Sequence, residues 1–247
     1  MIKYIFLGIL QGVTEFLPVS SSGHLVIAQK FLNLSGKEVA ISVILHLGTT
    51  LSLLTFFFKD ILKIFYNARL LLLIIIVTLI TTTIGIIGKD FFETLFTSVW
   101  LVGLTLLITG IILILTKRIT GRGRDILDIQ DAAAFGLAQA IAIIPGISRS
   151  GITISTLLFR KIDEDTAFRF SFLAAIPAIL GATLLEVKEI NSALKVAPMN
   201  LFLGFVFSFI SGLFSLWLLK LVLHKMKFHY FGYYCIIVAV FILLFIT

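Results

Sequence analysis

Glu15 is the only carboxylate between Met1 and Leu34, and the polar run Ser20-Ser21-Ser22-Gly23-His24 follows it closely within an otherwise apolar segment. A near copy, Ser148-Arg149-Ser150-Gly151, lies 128 residues later. Each residue type here has a use. The acid can hold a cation or a partner cation, and Gln11, one helical turn earlier, shares its face and can converge on the same cation or phosphoryl oxygen. Ser/Gly loops that open onto a helix present backbone N–H groups, hydroxyls and a helix N-terminus to an anion, and phosphate fits that description. Arg149 adds a guanidinium able to fork two phosphoryl oxygens. His24 can move a proton near neutral pH, and one of Ser20, Ser21 and Ser22 can serve as a nucleophile.

Each residue also has a plainer role. Glu15 and Arg149 can be a structural ion pair, serines cap helices, Gln11 can make an interhelical hydrogen bond, and a solitary His is often a satisfied polar side chain. Other polar residues rank lower. His46, within an apolar run, is expected to pack with a hydrogen bond to a neighbouring helix, and Thr81 to Thr83 to pack or bond back to their own backbone. The series Asp125, Asp128 and Asp131 reads as a solvated connection with Asp131 as the cap before Ala132. His224 and His229 sit in a basic connection facing water or headgroups.

The surrounding elements are set by composition. With 59% hydrophobic and 13% charged residues, the 247-residue chain lacks the polar surface of a water-soluble domain of its size and reads as a single, all-α integral membrane domain. The net charge of +7 is dispersed over short connections, which fits membrane topology and not nucleic acid. One cysteine, Cys235, excludes an internal disulfide and a CxxC site. The first ten residues lack the cleavage pattern of a signal peptide and read as mature structure.

A crossing helix needs about 20 apolar residues. Six runs come near it: Val39 to Phe58, Leu70 to Gly88, Ser98 to Thr116, Ala167 to Leu185, Leu201 to Leu219 and Tyr230 to Thr247. The motif segments Ile5 to Leu17 and Ala132 to Ile144 are too short to cross, and each ends in a Pro or Gly break. If both turn back, the connecting Lys and Arg divide 12 against 6; if both cross, 10 against 8. The positive-inside rule favours two re-entrant helix pairs with both termini outside the cytoplasm. Gly8, Gln11, Ser20, Ser22 and Gly23 fall without a gap on Gly136, Gln139, Ser148, Ser150 and Gly151. The chain therefore reads as two halves, about 1–124 and 125–247, and three crossings per half turn the second upside down. Such hairpins meet near the midplane, an arrangement that transporters use, so a carrier or flippase of a polyprenyl phosphate or another anion is an alternative to an enzyme.

The two long motifs carry a resemblance. Gln11-x-x-x-Glu15-Phe16-Leu17-Pro18-Val19-Ser20-Ser21-Ser22-Gly23-His24, then Pro145-Gly146-Ile147-Ser148-Arg149-Ser150-Gly151-Ile152-Thr153, and later Arg169-Phe170-Ser171-Phe172-Leu173 to Pro177, closely resemble the undecaprenyl-diphosphatase family, also called bacitracin-resistance proteins. The resemblance implies hydrolysis of undecaprenyl diphosphate to the monophosphate carrier recycled in cell-wall synthesis. It also implies a multi-pass protein of the bacterial cytoplasmic (inner) membrane with its site open to the outer face, and a divalent cation such as Mg2+ or Ca2+. By motif it sets Gln11 and Glu15 at the acidic and metal-linked positions, Ser21 and His24 at the catalytic ones and Arg149 at the phosphate-binding one. Ser148 and Thr153 lie nearby, and Ser20, Ser22, Gly23, Ser150 and Gly151 complete the substrate-binding loops. Position 11 is Gln where many members have Glu, and a neutral amide is a weaker Mg2+ ligand. The expected partners are a polyprenyl diphosphate lipid, membrane lipids and a second copy of the chain in a homodimer, with no nucleic acid. Attack by Ser21 through a phosphoserine and attack by an activated water both remain open.

Overall fold

The computed structural model describes residues 1–32, 38–95, 98–119, 123–185, 198–225 and 227–246. Twelve α-helices follow in order among these residues: α1 (Ile2–Phe16), α2 (Ser21–Phe31), α3 (Glu38–Phe56), α4 (Phe58–Ile64), α5 (Ala68–Ile87), α6 (Lys89–Leu95), α7 (Val99–Leu115), α8 (Ile129–Ile141), α9 (Arg149–Phe159), α10 (Glu164–Leu185), α11 (Pro198–His224) and α12 (Tyr230–Phe245). The described residues form no strand, only an isolated bridge between Arg124 and Ile162.

Among the described residues, four helices are long and apolar enough to cross a membrane: Ala68–Ile87, Val99–Arg118, Glu164–Thr183 and Pro198–His224. A fifth is counted if Ile41–Phe56 and Phe58–Ile64, bent by 74°, act as one span. The run expected over Val39 to Phe58 is thus broken. The bend buries Phe57 against Phe168 and Phe172 and lets Asp60 reach Arg169 at 3.1 Å, tertiary contacts that periodicity does not report. The sixth expected run, Tyr230 to Thr247, is helical over Tyr230–Phe245, an apolar helix of 16 residues. At 1.5 Å per residue it covers roughly 24 Å of a hydrocarbon core about 30 Å thick.

Both motif helices stop where the sequence forces them to. Leu17, before Pro18, is extended at φ −65° and ψ 145°, as the proline ring requires of its predecessor. In the second motif the turn after α8 passes through Gly146 at φ +89°, where a Cβ would meet the Val102 carbonyl oxygen at 2.6 Å. Close helix approach carries the rest of the packing. α1 lies on α11, α11 on α3, α5 on α8 and α7 on α12. Gly8 and Gly12 of α1 face Gly204, Ser208 and Gly212 of α11, so a Cβ at Gly12 would stand 2.5 Å from the Ser208 carbonyl oxygen. Without a hydrophobic drive between helices in lipid, such small-residue seams let backbones come close enough for dispersion to hold them.

The start of α8 differs from expectation. Asp128, not Asp131, is the N-cap: its side chain accepts from Asp131 N–H at 2.8 Å, while Asp131 accepts from Asp128 N–H at 2.9 Å. Asp131 is fully buried rather than solvated and pairs with Arg124 at 2.8 Å and with Arg160. The helix begins one turn earlier because this reciprocal cap satisfies two N–H groups, and the two guanidinium groups offset the desolvation of the acid. Burial would raise its pKa, but the Asp128 N–H and the two arginines outweigh that and hold the carboxyl below its ordinary value.

Candidate functional site

The first tip, between α1 and α2, and the second, between α8 and α9, touch. A Cβ on Gly23 would fall 3.6 Å from the Cα of Gly146 and 3.0 Å from Val102, and one on Gly151 would fall 3.3 Å from Pro18. A Cβ at Gly151 would press on the opposite tip, whereas at Gly23 the tight neighbour is Val102 of α7 and the opposite tip stands at ordinary contact. Two threonines of α7 strap the second tip down: Thr105 donates to the Pro145 carbonyl at 2.6 Å, and Thr109 donates to that of Gly146 at 3.1 Å while accepting from Ser148 N–H.

Glu15 and Arg149, 134 residues apart, meet at this contact, with Nη2 2.6 Å from Oε1. The other carboxylate oxygen accepts from Ser21 Oγ at 2.6 Å and from Gln11 Nε2 at 3.1 Å, and His46 Nε2 lies 3.4 Å away. The Glu15 side chain is 7% exposed and that of Arg149 16%, whereas His46 keeps 32% of its side chain exposed and so opens this cluster on one side. The Arg149 guanidinium also lies 5.9 Å over the ring of Phe172, within cation–π range. Two buried atoms beside this pair, Arg149 Nη1 and Gln11 Oε1, have no hydrogen-bond partner. One is a donor and the other an acceptor. An unpartnered buried group of this kind costs about 1–3 kcal/mol, more if charged, unless a ligand answers it.

The remaining motif residues divide. Ser148 caps α9, accepting from Gly151 N–H at 3.2 Å, and its hydroxyl lies 3.4 Å from that of Ser150. Thr153 bonds the Arg149 carbonyl and the Ser171 hydroxyl, so it braces the turn that carries Arg149. Ser20 and Ser22 hydroxyls pair at 3.3 Å, and Ser20 is held at φ 66°, a left-handed conformation that costs a residue with a Cβ roughly 1–3 kcal/mol. His24 does not face Ser21. Its Nδ1 lies 2.8 Å from the Ser20 carbonyl and its Nε2 2.9 Å from the Tyr234 hydroxyl. Arg169 is not part of the cluster either, being tied to Asp165 at 2.6 Å and to Asp60.

Two residues join the site that the sequence ranked low or passed over. His46 reaches Glu15 from α3, with Nδ1 donating to the Ser42 carbonyl at 2.8 Å. Its place inside an apolar span was the available signal, since ionisable groups at that depth carry functional weight. Tyr234 comes from α12, 210 residues beyond His24, and no spacing points to it.

A divalent cation has limited protein support. Among the described residues no three His, Cys, Asp or Glu side chains stand together. The donors present are the Glu15 carboxylate and the unpartnered Gln11 Oε1. That set suits an ion held by one carboxylate with phosphate oxygens filling the rest of its shell, as Mg2+ commonly is.

A family model described as bacitracin resistance protein BacA matches residues 4–241. The chain is 41% identical over 250 residues to the undecaprenyl-diphosphatase of Halothermothrix orenii, covering 98% of this chain and 96% of that relative. It is 44% identical over 248 residues to the protein of the same name from Carboxydothermus hydrogenoformans, covering 97% and 95%. The one from Syntrophotalea carbinolica is 44% identical over 245 residues, covering 94% and 93%.

Proposed function

The chain belongs to the bacitracin resistance protein family, and from that premise we propose that it hydrolyses undecaprenyl diphosphate to undecaprenyl phosphate and inorganic phosphate at the cluster around Glu15 and Arg149. The observation that carries the site is the 2.6 Å pair between these residues with Arg149 Nη1 and Gln11 Oε1 left open beside it. The diphosphate answers the free guanidinium N–H directly, and the first-turn amides of α2 and α9 add donors for its oxygens. A divalent cation would be held by Glu15 and Gln11 Oε1 and would supply charge neutralisation at the phosphoryl oxygens. Gln11 Nε2 keeps the Glu15 carboxylate oriented, and Arg149 stabilises charge as the bond from the terminal phosphorus to the bridging oxygen breaks. Ser21 Oγ already donates to Glu15 Oε2, so Glu15 can take the proton if Ser21 attacks, or from a water in its place.

The topology belongs to the same proposal: six spans, α3, α5, α7, α10, α11 and α12, with α1–α2 and α8–α9 as re-entrant pairs in an inverted repeat. Several regularities support it. Shifted by 128, the bounds of α2, 21–31, fall on those of α9, 149–159. α1 packs on α11 as its counterpart α8 packs on α5, and α7 packs on its own counterpart α12. Ser21 and Arg149, equivalent under that shift, bind the two oxygens of one carboxylate. In this reading the protein sits in the bacterial cytoplasmic membrane with the site toward the outer face and pairs as a homodimer, the prenyl tail lying along its lipid-facing apolar helices.

The test is inorganic phosphate release from a long-chain prenyl diphosphate by the purified protein in detergent, with and without a chelator. Release that falls on chelation and returns with Mg2+ or Ca2+ is expected. No release, together with movement of a polyprenyl phosphate across liposomes, would favour the carrier instead.

A further inference from the structure

His24 and His46 both lie in the site region but are satisfied differently. The ring nitrogens of His46 face two acceptors, the Ser42 carbonyl and the Glu15 carboxylate. Those of His24 face one acceptor, the Ser20 carbonyl, and one hydroxyl, that of Tyr234. A carbonyl oxygen cannot donate, so the His24 proton sits on Nδ1 and the Nε2 lone pair accepts the Tyr234 O–H. His24 is therefore complete as a neutral imidazole. The serine it would most simply activate is committed elsewhere, because Ser21 Oγ donates to Glu15.

We infer that Tyr234 is the positioning residue of His24 in this hydrolysis: with the Ser20 carbonyl holding the proton on Nδ1, the Tyr234 hydroxyl bonds Nε2 and fixes the orientation of the ring, so that Tyr234 acts on the reaction through His24. The inference rests on the diphosphatase reading above. Tyr234 is suited to the task by its place on α12. The next residue, Cys235, is fully buried and its thiol lies 3.4 Å from the Pro18 carbonyl, which anchors α12 against the first tip. Tyr234 itself is 44% exposed, its ring lies nearly parallel to that of His24 at 5.8 Å, and its hydroxyl is bonded to His24 Nε2. A ring held at both nitrogens has its lone pair oriented in the way that metal-bound and catalytic histidines are oriented by their own partners. The last helix of the second half thereby becomes part of a site whose acid lies on the first helix.

The inference is tested on the intact protein in detergent. Tyr234→Phe should lower kcat for phosphate release at least about tenfold with KM little changed. In a His24→Gln background the same substitution should cost nothing further, since a residue that acts through His24 has nothing left to act on. Independently of turnover, 15N-histidine NMR should show His24 with its proton on Nδ1 and the Nε2 signal displaced in Tyr234→Phe. Parental kcat in Tyr234→Phe, an equal loss in the His24→Gln background, or a proton on Nε2 in the parent would each overturn it. Absence of phosphate release in the parent would instead strike the diphosphatase reading, and the NMR result would still decide the tautomer.

Discussion

Glu15 accepts hydrogen bonds on both carboxylate oxygens, and His46 is the one donor near Oε2 that comes from outside the two motifs. If its function is to supply an N–H to that oxygen, a side chain with a permanent donor can replace it. His46→Gln is expected to keep phosphate release within a few-fold, whereas His46→Leu should lose about ten- to a hundredfold, the worth of a hydrogen bond to a charged group. Equal rates in the two variants would remove His46 from the site. The acid and the guanidinium were legible in the sequence because each is costly in an apolar segment and the motifs that hold them repeat. His46 was less so: one His in an apolar run is more often packed than functional, and only the fold brings it to Glu15. His24 was placed by its nearness to the serines, yet its side chain turns toward a tyrosine 210 positions away.

Helix positions were read to within a few residues, while the interactions that fix them mostly were not. The break after Phe56 follows from a cluster of phenylalanines and an Asp60–Arg169 pair that no local pattern encodes. The glycine seam between α1 and α11 was readable as Gly8-x-x-x-Gly12, but its partner stripe lies some 200 residues away. Asp131 is the clearest case. Sequence made it an exposed cap; the fold buries it between Arg124 and Arg160, in the first turn of α8. Because its carboxyl is held below the ordinary value of about 4 when folded, the stabilisation is complete above that pH and is lost as pH falls through the folded value. Asp131→Asn should therefore lower the thermal midpoint in detergent at pH 7, by the equivalent of about 3 kcal/mol. The gap to the parent should close below about pH 4. An unchanged midpoint at pH 7 would mean that the two arginines do not depend on this acid.

At the scale of the whole molecule, the two copies of the motif carry dissimilar chemistry. Under the 128-residue shift Glu15 falls on Ile143 and His24 on Ile152, while Ser21 falls on Arg149. The first half keeps the acid and the imidazole, and the second contributes the cation. The carboxylate comes from the first half and the guanidinium from the second, and the threonine straps from α7 hold the second tip in place beside the first. The membrane class and the meeting of the two motifs could be read from composition and spacing. Which helices would surround the pair could not, because contacts between helices in lipid depend on small residues and single hydrogen bonds rather than on periodicity.

The claim that one diphosphate is handled jointly by the two halves is tested most directly by phosphate release from a long-chain prenyl diphosphate in Glu15→Gln, Arg149→Ala and the double variant. Each single change should reduce turnover by about a hundredfold or more, and the double should be no worse than the poorer single, as for residues that act as a unit. Near-parental release in either single variant, or losses that multiply in the double, would contradict a shared site.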